Sequence, residues 1–325
     1  MNLEQKAFRV GVAVLIGAIL LKLLSGIPDT ALDNIGPRLS QTLLFLQTGR
    51  RIPLDAALTA ELPTEESSEE ATAAPVLAPA LAFSPEDAAL VELRNTSGHD
   101  VNIASLLTQP LDWNLCADEP SVLILHTHGT ESYADTDGYR SQDEAKNMIA
   151  VGARLANALE QAGIHVLHDK TMHDADSYNG SYAHARTSIE SYLAQYPSIR
   201  LVLDIHRDSA EDAEGNQINY TVSTENGASA KLMLVMGTDA GGLEHPAWQE
   251  NLSLAFKLHA QLERICSDIC RPMYLRTSRF NQDLCPGALL VEVGAAGNTH
   301  REAITAVEVL ARAILDLANG AQGTT

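Results

Sequence analysis

The sequence predicts an α/β fold: a mainly parallel twisted sheet covered by helices on both faces. Two observations predict it. Three short apolar runs, at Val122–Leu125, Leu201–Ile205 and Ala288–Val293, each meet a polar or glycine-containing stop and read as buried strands. Around them, segments with helical apolar spacing alternate with further strand-like runs, the pattern of a parallel sheet with crossover helices. A third observation points to function. The strands carry His126 and His128, His206, and Glu292 at or near their C-terminal ends. Open α/β sheets bind ligands there, so residues from three strands can converge on one ion.

The chain has 325 residues and a net charge of −20, which argues against a nucleic-acid partner, since such proteins show a basic footprint. Phe8–Leu24 reads FRVGVAVLIGAILLKLL, with Lys6 and Arg9 at its start and Lys22 inside it. A spanning helix needs about 20 mostly apolar residues, a length this stretch reaches if Lys22 snorkels. A cleaved signal peptide is the rival, but Ser25-Gly26-Ile27-Pro28 is a weak cleavage site. Residues 1–28 are therefore read as a single-pass anchor in the cell membrane. The basic residues before the apolar core place the remainder outside the cytoplasm.

Residues 29–95 read as an extracytoplasmic linker. Asp29–Arg51 suits one amphipathic helix. Ile52–Leu93 holds no Lys or Arg but nine Asp or Glu, mixed with Pro, Ala, Ser and Thr. Such a composition buries too little apolar surface to fold, so disorder is expected over Ile52–Pro85.

Residues 96–320 are the expected catalytic domain, long enough for one sizeable core. After the first strand, Met148, Val151, Leu155 and Leu159 recur at helical spacing, predicting a helix over Glu144–Ala162 that Gly163 stops. A strand at Ile164–His168, a helix at Ser181–Tyr196 and a strand at Ile199–Ile205 follow. Next come a strand at Lys231–Gly237, a helix at Trp248–Ile269, the Leu289 strand and a closing helix at Glu302–Ala318. There is no internal repeat. The four cysteines, Cys116, Cys266, Cys270 and Cys285, include no C-x-x-C pair and so no zinc knuckle. Cys266 and Cys270 share a helix face, which does not by itself give disulfide geometry.

Zinc takes imidazole nitrogen and carboxylate oxygen, and catalytic zinc keeps one position open. The candidate donors are His126, His128, Glu131, Asp143, Glu144 and His206. Within a strand His126 and His128 face the same way, so both cannot be assumed to be ligands. Glu292 interrupts the apolar run ALLVEVGAAGN. A buried carboxylate is costly unless paired or bound to metal. A salt bridge to Arg207 or Arg279 would satisfy it; a catalytic role is favoured because it stands beside the other strand ends.

The segments HTHGTESY, VGARLANALEQAGIHVLHD, DIHRDS and RFNQDLCPGALLVEVGAAGNT together resemble the stage II sporulation protein P family over Ser121–Leu317. The resemblance implies a zinc-dependent cell-wall hydrolase of forespore engulfment. Its fold would be like that of N-acetylmuramoyl-L-alanine amidases of the amidase-3 type, which is phosphorylase/hydrolase-like. Carried over, the amidase pattern places metal ligands at His128, Glu144 and His206 and the catalytic glutamate at Glu292. His126 departs from that pattern, which carries an aspartate shortly before its histidine; His126 stays open as a supporting group or as the ligand in place of His128. Asp143 and Glu131 compete with Glu144. In the implied mechanism zinc activates water and polarises the amide carbonyl, while Glu292 moves the proton from water to the leaving amine. Arg207 and Asn281 are candidates for holding the peptide or the oxyanion, and Asp208 for orienting a histidine; a salt bridge to Asp204 or Asp208 is the alternative role for Arg207. Peptidoglycan is the implied substrate, and a lytic transglycosylase, stage II sporulation protein D, the implied partner. The rival readings are an extracytoplasmic zinc peptidase or deacetylase on another substrate, and a non-catalytic wall-binding module.

Overall fold

The computed structural model describes residues 81–322 apart from 112 and 137. The expected anchor and most of the expected linker lie outside the described residues. No helix among the described residues is long and apolar enough to cross a membrane.

The strands are β1 (Leu93–Asn95), β2 (Val122–Leu125), β3 (Val166–His168), β4 (Leu201–Asp208), β5 (Thr221–Thr224), β6 (Gly227–Ala230), β7 (Leu232–Met236), β8 (Met273–Leu275) and β9 (Ala288–Ala295). β5 and β6 pair as a hairpin; the other seven form one sheet in the order β1-β8-β7-β9-β4-β2-β3. Every neighbouring pair in this sheet is parallel except β7 with β9. The sheet is therefore mainly parallel, as expected, but consists of two parallel blocks running in opposite directions. The helices are α1 (Ile103–Leu107), α2 (Met148–Gln161), α3 (Ser181–Gln195), α4 (Trp248–Ile265) and α5 (His300–Gln322).

Alternation along the strands divides the core. Leu203, Ile205, Leu289, Val291, Val293 and Leu234 face one side and pack with α2, α4 and α5. Leu123, Leu125, Val202 and Ala288 face the other side, where Ala185 and Ile189 of α3 cover them. Met233, Val235 and Leu290 share that second side but form a separate cluster, flanked only by Tyr274 and Phe280. The second face is thus covered by a helix at one end only; at the other Met233, Val235 and Leu290 are still buried.

Three expected boundaries move. The globular domain begins before residue 96: Pro85–Leu90 forms a 3-10 turn with a Ser84–Asp87 capping box, and β1 pairs with β8 through Leu93, Arg94 and Asn95. Asp87 also meets Arg264 of α4 at 2.6 Å. Acidic composition suggested linker here, but a strand of three residues at a sheet edge leaves almost no compositional trace. The first long helix starts at Met148 rather than Glu144, because the Asn147 side chain caps it, accepting from Ile149 N at 2.9 Å. Glu144 is left exposed on the preceding turn. α4 ends at Ile265 rather than Ile269, where the two oxygens of Glu263 accept from Asp268 N and Cys270 N, each at 2.8 Å. All four cysteines are free thiols.

Candidate active site

The loop after β2 is held by two buried aspartates. Asp204 of β4 accepts from Thr127 N at 2.8 Å and Thr127 Oγ1 at 2.6 Å. Asp174 accepts from Thr130 N at 3.1 Å and Thr130 Oγ1 at 2.7 Å, and also pairs with Arg140. With both threonines tied back, His128 between them projects into a cleft of about 590 Å³ at the C-terminal ends of β2, β4 and β9. Its ring stacks on Tyr178 with centroids 4.1 Å apart and meets His206 edge-on at 5.3 Å.

Glu131 arrives one turn further along this loop. Its backbone carbonyl accepts from Met148 N at 3.0 Å, fixing it beside the start of α2. Its side chain is buried, with Oε2 3.6 Å from His206 Nδ1 and Oε1 3.7 Å from Arg207 Nη1. Burial works to raise this carboxyl, but His206, Arg207 and His128 outweigh it and hold it below its ordinary value. On its other side His206 places Nε2 2.9 Å from Asp204 Oδ1, though without hydrogen-bond geometry. Burial opposes a charge on His206, yet Asp204 and Glu131 push its pKa well above the ordinary value. Two carboxylates around one imidazole favour positive charge at this position.

Glu292 sits in register with His206 across the β4–β9 ladder. It lines the same cleft as His128, Glu131 and His206. Its Oε2 is buried with no hydrogen-bond partner among the described residues, and burial raises its pKa to about 8. Neither arginine considered for it is its partner. Arg207 donates to Ser132 O at 3.0 Å and Tyr139 O at 2.6 Å besides meeting Glu131. Arg279 lies 3.2 Å from Asp283.

The structure therefore brings together His128, His206, Glu292 and Arg207, with Glu131 as the adjacent acid. It does not bring in Glu144, which is exposed, nor His126. His126 is fully buried, with Nδ1 3.0 Å from Ile205 O and Nε2 2.9 Å from His168 Nε2, and burial lowers its pKa to about 4. β2 ends at Leu125, so the two-residue period that would align His126 with His128 no longer applies. A helical glycine marks the place: a Cβ on Gly152 of α2 would lie 2.4 Å from His126 Nε2. Asp208 pairs with Arg271 at 2.8 Å; Asp204 is the aspartate next to a site histidine. Asn281, with φ of 58°, donates to Tyr182 O at 2.8 Å.

Two imidazoles and one carboxylate are the donor types a catalytic zinc ion takes, although among the described residues the ligand atoms of His128, Glu131 and His206 do not all lie within 4.8 Å of one another. His128 Nδ1, 3.9 Å from Asp174, is a buried nitrogen without a hydrogen-bond partner. A carboxylate behind each ring is the usual support for ligating histidines. A second donor group, His259, Glu263 and Cys270, has ligand atoms within 4.8 Å of one another. It does not line the cleft, and Glu263 there already binds two backbone N–H groups.

The profile of "Stage II sporulation protein P (SpoIIP)" matches residues 55–315. The chain belongs to this family. Among curated relatives, stage II sporulation protein P of Bacillus subtilis (strain 168) is 30% identical over 233 residues, covering 64% of this chain and 55% of the relative. The chain thus spans about half the length of that family member. Solved structures similar to the chain are N-acetylmuramoyl-L-alanine amidases. AmiC2 of Nostoc punctiforme is 16% identical, covers 60% of this chain and 95% of its own, and has a TM-score of 0.36. The amidase of Clostridium difficile 630 is 12% identical, covers 61% and 96%, and has a TM-score of 0.37. Ami1 of Mycobacterium smegmatis is 11% identical, covers 63% and 98%, and has a TM-score of 0.37.

Asp204, read from the sequence only as a possible partner of Arg207, stands instead beside His206, a place the sequence could have revealed. It is a carboxylate inside the apolar run LVLDIHRD, two residues before His206 and so on the same strand face. Asp174 and Tyr178 come from an irregular loop, with no periodicity to announce them.

Proposed function

We propose that this family member is a metal-dependent amide hydrolase acting on peptidoglycan, an N-acetylmuramoyl-L-alanine amidase in its bond preference. One observation carries the reading: Glu292, a buried carboxylate without an ion-pair partner, shares a cleft with the His128, Glu131 and His206 donor set. His128, Glu131 and His206 would hold a zinc ion, and that ion would supply Lewis acidity toward the amide carbonyl and water. Glu292 accepts the proton of the attacking water and returns it to the leaving amine nitrogen; a zinc ion held beside it would favour the ionised carboxylate that this acceptance needs. Arg207 acts as a positioning residue, holding Glu131 and the loop carbonyls of Ser132 and Tyr139. Asp204 and Asp174 orient the two histidines.

Tethering through Phe8–Leu24, an extracytoplasmic site of action in engulfment and cooperation with stage II sporulation protein D extend this reading. They are supported by the sequence pattern and by family membership. The test is digestion of purified peptidoglycan by the full chain with zinc, with and without chelator, followed by mass spectrometry. Release of stem peptides with a new N-terminal alanine, abolished by the chelator, is expected. Cleavage only between peptide residues would replace the amidase by an endopeptidase; no cleavage under any metal would overturn the reading.

A further inference from the structure

The cleft does not stop at the donor set. It continues across the half of the sheet's second face that no helix covers. The ladder registers place Leu290 of β9 beside Val235 of β7, Val235 beside Tyr274 of β8, and Tyr274 beside Arg94 of β1. All four residues line the cleft. A floor therefore runs from Leu290, two residues before Glu292 on β9, to the β1 edge of the sheet. From β9 to β1 is three strand spacings, about 14 Å.

At the far end the charge changes sign. Arg94 and Arg276 both lie over Tyr274, with guanidinium carbons 4.7 and 4.9 Å from its ring centroid. Both are exposed, and neither makes an ion pair or side-chain hydrogen bond among the described residues. The acidic residues lining the cleft are Glu131, Asp208 and Glu292; Asp208 is already paired with Arg271. In a chain with a net charge of −20, two unpaired guanidiniums gathered on one tyrosine form a local anion site. The planar fork of arginine suits a carboxylate.

We infer that Arg94 and Arg276, seated on Tyr274, form a subsite for a carboxylate of the stem peptide, three strands across the sheet from β9, which carries Glu292. This rests on the amidase reading above. The glycan strand offers little that would match: its sugars are uncharged, and the lactyl carboxyl is consumed in the scissile amide. Extended peptide advances about 3.3 Å per residue, so the floor accommodates about four residues before the arginines. The floor receives the side chains or methylenes of this segment, and the arginines select for its free acid.

The experiment uses the zinc-loaded full chain and synthetic N-acetylmuramoyl peptides of two, three and four residues. Each peptide is supplied as C-terminal acid and as carboxamide. The acid of the longest peptide should be preferred about tenfold or more over its amide in kcat/KM, and the preference should fade with added salt. Arg94→Gln and Arg276→Gln should each raise KM for the acid about tenfold, leave kcat nearly unchanged and leave the amide unaffected. Equal turnover of acid and amide by the wild type would overturn the subsite and leave the amidase reading standing. If the wild type cuts no peptide, the amidase reading fails, and calorimetric binding of the same peptides decides the subsite. Tighter binding of the acid, lost in Arg94→Gln, supports it; equal or absent binding of the two forms overturns it.

Discussion

Replacing Glu292 by glutamine separates chemistry from stability. The carboxyl ordinarily titrates near 4.5 and is raised to about 8 by burial in the cleft. Between these values the folded chain holds a proton that the unfolded chain has lost. Stability of the metal-free protein therefore falls as pH rises through this window. At about 1.4 kcal/mol per pH unit the full shift corresponds to roughly 4–5 kcal/mol, an upper bound because cleft water screens the charge. Glutamine keeps the shape and removes the ionisation. With only part of that shift recovered, roughly 1–2 kcal/mol, chelated Glu292→Gln should melt about 2–8 °C above the wild type at pH above 8. The two should melt together below pH 4.5. On zinc-loaded protein, hydrolysis should fall about 10²- to 10⁴-fold while metal content stays the same. Calorimetric melts across pH and turnover on peptidoglycan, made on the same preparations, check both. A variant that melts lower at every pH would show that Glu292 neutralises a buried cation. One that hydrolyses normally would remove it from the mechanism.

Three other outcomes follow from the geometry. Glu131→Gln should lose bound zinc as measured by metal analysis, whereas Glu144→Gln should retain it and remain active; the reverse result would restore the helix-opening glutamate as ligand. Lys257 is buried, with Nζ 2.9 Å from Ser253 Oγ and 3.2 Å from Leu106 O, and burial lowers its pKa to about 8 from 10.5. Between these values the unfolded chain binds the extra proton, so stability from this group rises with pH; Lys257→Met should raise the melting temperature at pH 7 and flatten that rise. A chain truncated to begin at Thr96 loses β1, the Asp87–Arg264 pair and the turn of Pro85–Leu90, and should melt well below one that begins at Leu81.

The sequence by itself determined five of the seven strands of the main sheet, because a buried parallel strand is largely apolar; the three-residue strands β1 and β8 leave no such run. It also determined which polar residues interrupt the apolar runs. His206 and Glu292 are legible because a charged or polar group in such a strand is costly unless it has work there. Only the tertiary structure shows that Glu131 lines the cleft and Glu144 does not. Both precede α2 within a short stretch, and the difference depends on the Asn147 cap and on a loop that folds Glu131 back against Met148 N. The same holds for His126 and His128: strand periodicity treats them alike, but the chain leaves the sheet after Leu125, where Asp204 and Asp174 fix its path from outside the segment. Strand direction was equally hidden. Periodicity is unchanged when a strand is reversed, so the antiparallel join of β7 to β9 is set by the connections between strands. That join extends the helix-free half of the sheet's second face from Glu292 to Arg94, two residues far apart in sequence that meet one cleft only after folding.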